Sequence, residues 1–220
     1  ENLVKELYPI LLKVRSKLMT YYYTINIADN LEEDEQIEWF EVLNNAGSSV
    51  SALQMSFSRL KLHDYDIYTA YVTPFKDKIQ TFGYEELFSP FKTNVSYPVA
   101  SLNPAFEVIK KDRNHNHNFA PIPSDTKETQ ITNLTMDELN EITDLSLNSL
   151  ATALDFLSNH GLEKHVDRMD YILYLTGYFA FNNINDVNEN SIQGLISWVQ
   201  NVNFVNQSNP ARRSIFSGLI

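Results

Sequence analysis

The sequence predicts a mainly α-helical protein, an antiparallel helical bundle preceded by a small α/β remnant. In several long stretches apolar residues recur every three or four positions, which is the spacing of an amphipathic helix. Glycine and proline occur only 6 and 8 times in 220 residues, which disfavours an all-β fold with many tight turns. Hydrophobic residues make up 43% of the chain, enough to form a core.

The first part of the chain, residues 1–64, contains the predicted α/β remnant. Residues 2–19 have helical spacing, with Pro9 marking a kink or a restart. Residues 21–27 are aromatic and β-branched, which is typical of a short strand. The acidic run at 32–35 suits the first turn of a helix, although such runs are usually just a solvated turn.

The remaining sequence divides into a connecting region at 65–133 and a helical bundle domain at 134–220. In the connecting region, helical pieces are expected at 65–72, 74–82 and 106–111, and five prolines interrupt residues 83–130. In the bundle, a capping box at Thr135 and Glu138 predicts the start of a long helix, with Gly161 as its C-terminal cap. Further helices are expected at 164–181, at 191–202 and after Asn209 and Pro210.

Charge and cysteine content exclude several classes of function. The chain has 17 basic and 28 acidic residues, a net charge of −11, so as a whole it repels nucleic acid. Contact with DNA is therefore expected only through a local basic patch or through a part of the full-length protein that is not in this sequence. Arg212 and Arg213 could bind phosphate, or they could pair with acidic neighbours. Because cysteine is absent, disulfides, thiol catalysis and cysteine-ligated metals are excluded.

No membrane partner is predicted. The longest apolar stretch, residues 171–181, is about half of the ~20 residues that a membrane-spanning helix needs, so we expect a buried helix there. Neither a signal-peptide pattern nor an initiator methionine occurs at residue 1, and the chain opens within a helical pattern, as a piece of a longer protein would. These features favour the cytoplasm.

The most informative local feature is the segment 40–51, which reads as a helix end, a small-residue loop and a capped helix start. The backbone N–H groups at the Ser51 end of this corner form a natural anion site. Asn44 offers an amide, and Gly47 allows a close backbone approach. The alternative is a plain helical corner, in which Gly47 only provides a positive φ.

Other polar groups in the sequence do not predict a catalytic or metal site. His115 and His117 lie in an exposed loop with one nearby carboxylate, whereas structural metal sites use three or four ordered ligands. His160 is placed to interact with a helix C-terminus, and Asp64 or Asp66 to cap a helix N-terminus. No nucleophile elbow, Walker A motif or dinucleotide-binding glycine motif occurs.

The segment 40–51 resembles the signature F-x-x-(L/I)-N-x-x-G-x-x-(L/V)-S of the ParB-like domain in GmrSD-type restriction and phage-defence proteins. The order of elements from about residue 24 onward is also similar to that of the family. The matching positions are Phe40, Leu43, Asn44, Gly47, Val50 and Ser51.

This resemblance implies nucleotide-dependent DNA cleavage, with Asn44, Gly47 and Ser51 lining a nucleotide or phosphate pocket. A nucleoside triphosphate with a divalent metal ion would be the ligand of the full-length protein. The partners would be a second copy of the chain or a nuclease domain. The family's D-G-Q-Q-R motif and HNH nuclease domain do not occur in these 220 residues, so we expect this piece to be inactive alone. The alternative function is a non-catalytic helical protein-interaction module.

Overall fold

The fold is known from a computed structural model. The structure describes residues 2–19, 32, 35, 60, 65–88, 95–110, 119–123, 134–184 and 187–220. It divides into two compact units, Glu1–Gly47 and Ser48–Ile220.

The first unit contains helix α1, Asn2–Met19, which confirms the helix predicted from the apolar spacing. Pro9 lies inside this helix. The side chains of residues 7–17 are all exposed, including Leu11 at 63%. The backbone N–H of Glu32 donates to the Glu35 carboxylate at 3.0 Å, as in the first turn of a capped helix. The predicted strand at 21–27 and the corner at 44–51 lie outside the described residues.

All the secondary-structure elements that the structure describes in the second unit are helical. A π-helical turn, Tyr68–Val72, leads directly into helix α2, Thr73–Thr81, and short 3₁₀ turns lie at Glu85–Leu87 and Glu163–His165. The described part of the chain contains no strand, so the mainly helical class is confirmed, and the α/β remnant stays a prediction. The longer helices are α2 Thr73–Thr81, α3 Ser96–Lys110, α4 Met136–Asn159, α5 Met169–Phe181, α6 Glu189–Asn201 and α7 Asn209–Leu219.

Several helix ends follow the predicted local chemistry. The capping box of α4 is confirmed, because Thr135 Oγ1 accepts from the Glu138 N–H at 3.3 Å and Glu138 accepts from the Thr135 N–H at 2.9 Å. Gly161 follows α4 with a φ of +62°, a conformation that favours glycine. The Asp66 carboxylate accepts from the backbone N–H of Tyr68 at 3.0 Å, as predicted for a cap at this position.

Two helix starts differ from the predictions. Helix α3 begins at Ser96 rather than near residue 106 and continues through Pro104, which the sequence suggested as a breaker. Pro104 is buried and its ring reaches toward Gly177 of α5, so tertiary packing offsets the lost backbone hydrogen bond. Helix α5 begins at Met169 rather than at residue 164, because Arg168 has an extended backbone.

Helix α5 lies at the centre of the second unit. It packs against α3 and α4, which also pack against each other. Trp198 of α6 and Phe216 of α7 reach the Tyr174 ring with centroid distances of 6.4 and 5.3 Å. The prediction that residues 171–181 form a buried helix is confirmed. This core includes residues on both sides of the predicted boundary at 133/134, and the three-part division stays a prediction.

Candidate functional site

The predicted pocket residues cannot be placed from the structure. Asn44, Gly47 and Ser51 lie outside the described residues, and so do His115 and His117. Their proposed roles therefore stay predictions.

A cleft of about 240 Å³ lies between the end of α5 and the start of α6. Helix α5 ends where Asn182 adopts an extended backbone, and the Asn182 amide donates to the Tyr178 carbonyl at 3.0 Å. Helix α6 begins with Asn188 as its cap, whose side chain accepts from the Ser191 N–H at 2.9 Å. The space between these two helix ends is lined by Tyr178, Phe181, Asn182, Asn183, Val187 and Ser191.

The lining of this cleft offers hydrogen bonds but no carboxylate and no basic side chain. It is also smaller than the roughly 300–1,000 Å³ of typical sites for drug-sized ligands. The cleft can therefore hold a small neutral polar molecule, and its lining provides no acid–base pair and no metal ligands. The sequence identified this region only as a polar loop at 182–190, because an asparagine-rich segment is equally typical of a solvated turn.

Arg212 is engaged by protein groups rather than being available as an open phosphate site. Its Nη1 donates to the Asp170 carboxylate at 2.5 Å, and both side chains are less than one-fifth exposed. Its Nε donates to the Gln207 carbonyl at 3.3 Å, and its own carbonyl accepts from the Tyr174 hydroxyl at 3.1 Å. For Arg212, the structure thus supports the alternative of an acidic partner.

The buried hydroxyl groups form a hydrogen-bonded cluster between helices. The Tyr71 hydroxyl donates to the Pro98 carbonyl at 2.9 Å and lies 2.8 Å from the Ser146 hydroxyl, which is 3.1 Å from that of Ser101. Burial raises the pKa of the Tyr71 phenol, so it stays protonated at neutral pH and cannot act as a base. Because every group in the cluster has a partner, the cluster serves to align the helices.

Two buried polar atoms have no hydrogen-bond partner among the described residues, the Tyr84 hydroxyl and the Arg168 Nε. Burial and, secondarily, the charge of Glu163 raise the pKa of Tyr84 to about 12. An unpaired buried hydroxyl costs about 1–3 kcal/mol of stability. Neither residue lines the cleft, so these atoms do not extend it.

The histidines and carboxylates that the structure describes do not gather into a metal site; no group of three or more lies close enough to hold an ion. His160 ends α4, as predicted, and its ring lies 4.7 Å from that of Phe156. Nor does any helix in the described ranges combine the length and apolar content needed to cross a bilayer.

Comparisons with known proteins neither support nor contradict the resemblance to the ParB-like family. The chain matches no protein-family model, no curated protein and no solved structure. Any assignment of function therefore depends on the residues of the segment 40–51 and on the helical architecture that follows them.

Proposed function

We propose that this chain is part of a nucleotide-dependent DNA restriction endonuclease subunit of the ParB-like, GmrSD type, in which Asn44, Gly47 and Ser51 line a nucleotide pocket. The observation that carries this proposal is the signature of the segment 40–51, where all six defined positions match. The helical second unit supports it, because the family also continues into long helices. A cytoplasmic location follows from the same proposal.

Each pocket residue has a distinct chemical role in this proposal. The backbone N–H groups at the start of the helix capped by Ser51 would bind phosphate oxygens. Gly47 would let the backbone approach the ligand closely, and the Asn44 amide would orient it. A divalent metal ion would neutralise phosphate charge in the full-length protein, and the described residues gather no ligand group for it.

The second unit would couple the nucleotide pocket to DNA cleavage. Helices α3, α4 and α5 pack closely against one another, so they could transmit a displacement from one side of the unit to the other. The hydroxyl cluster around Tyr71 fixes α3 relative to α4. DNA would be contacted through the full-length protein, since this chain carries a net charge of −11.

Calorimetric titration with nucleoside triphosphate and magnesium tests the proposal. Replacing Asn44 by alanine should weaken binding at least about tenfold, the effect of losing one or two hydrogen bonds to a charged ligand. The matched control is Asn45→Ala, the same change at an adjacent position that the signature leaves undefined. Equal affinities of the two variants, with unchanged circular dichroism, would contradict the pocket. Hydrolysis should be negligible, because the chain lacks the D-G-Q-Q-R motif.

A second candidate, a non-catalytic protein-interaction module, is favoured by the charge of α4. This helix contains no lysine or arginine, and four exposed carboxylates lie along one side of it at helical spacing. Such a surface suits a basic partner. The four carboxylates of this surface are Asp137, Glu141, Asp144 and Asp155.

Failure of the unmodified chain to bind any nucleoside triphosphate would favour the protein-interaction module over the nucleotide-dependent endonuclease.

A further inference from the structure

We draw no further inference here: the strongest candidate, the exposed apolar face of helix α1 at Leu7, Leu11 and Val14, carries none, because nothing in the structure shows what covers it.

Discussion

Helices α1 and α5 are both rich in apolar residues, yet they have opposite environments. In α5 nearly every side chain is buried, and only Asp170, Tyr178 and Phe181 are partly or largely exposed. In α1 every described side chain is exposed, including Leu7, Ile10 and Leu11. The spacing of apolar residues thus predicted both helices, and the continuous apolar run at 171–181 also predicted the burial of α5, whereas the exposure of α1 was not predicted.

The difference arises from the width of the apolar surface. Helix α5 is apolar around almost its whole circumference, which is typical of a helix enclosed by others. Helix α1 has Lys5, Lys13, Arg15 and Lys17 distributed among its apolar residues, so its continuous apolar surface is narrower than that of α5. Substitutions in the buried helix α5 should therefore change the stability of the protein more than substitutions at exposed positions.

The largest expected effect is a cavity in α5. Leu175 is 0% exposed, so Leu175→Ala should lower the free energy of unfolding by about 2–5 kcal/mol. The same change at exposed Leu11 of α1 should alter it by less than about 0.5 kcal/mol. Urea denaturation at a concentration where the chain is monomeric measures both. Similar losses at the two positions would show that α1 is buried in solution.

An intermediate effect is expected from adding a side-chain carbon at Gly177 of α5, where neighbouring side chains leave no room for it. A Cβ atom there would lie 2.6 Å from the Phe216 ring and 3.0 Å from Pro104 Cγ, so Gly177→Ala should destabilise the protein by about 1–3 kcal/mol. Gly194 of α6 has no atom within 4 Å of such a Cβ, and Gly194→Ala should stabilise by about 0.5–1 kcal/mol.

Urea denaturation of the two glycine variants tests whether the free energy of unfolding falls in Gly177→Ala and rises in Gly194→Ala. Adding Phe216→Leu to Gly177→Ala should recover part of the lost stability, because the smaller side chain removes the closest contact. A Gly177→Ala variant as stable as the unmodified chain would show that α7 is not seated against α5.

The smallest effect is expected at the surface, where Lys110 of α3 pairs with Glu138 of α4. The hydrogen bond from Lys110 and then that from the Thr135 N–H hold the pKa of Glu138 below its ordinary value of 4.5. A lowered folded-state pKa means that the carboxylate contributes stability above about pH 4.5 and loses it as the pH falls through the folded pKa.

Melting temperatures between pH 7 and pH 3 measure this contribution. Glu138→Gln should lower the melting temperature at pH 7 slightly and should make it fall less steeply below about pH 4.5 than in the unmodified chain. Glu141→Gln, the same change on α4 outside the cap, serves as the control. Parallel curves for Glu138→Gln and the unmodified chain would contradict the pairing.

The sequence predicted the helices whose ends are determined locally. Thr135, Glu138 and Gly161 bracket α4 because their side-chain and backbone preferences operate within one turn. The early start of α3 could not be predicted, since Pro104 is accommodated only by contact with α5, which lies far along the chain. The π-helical turn at Tyr68–Val72 has no comparable sequence signal.

In the candidate sites too, contacts between distant parts of the chain could not be predicted from local sequence. Two interpretations of Arg212 and Arg213 were open, phosphate binding or pairing with acidic neighbours. The ion pair of Arg212 with Asp170 could be predicted only by knowing that α5 and α7 lie side by side. The cleft between α5 and α6 was not predicted, because it depends on the relative position of two helix ends. The roles of Asn44, Gly47 and Ser51 depend on the family signature and stay predictions.

The close approach of Pro104, Gly177 and Phe216 has a consequence for biosynthesis. These residues come from α3, α5 and α7, so the contact cannot form until the ribosome has released the segment that contains Phe216. Until then α5, the most apolar of the helices that the structure describes, is partly uncovered. The nascent polypeptide should therefore depend on chaperones during this interval, and translation that stalls before α7 should yield an aggregation-prone intermediate.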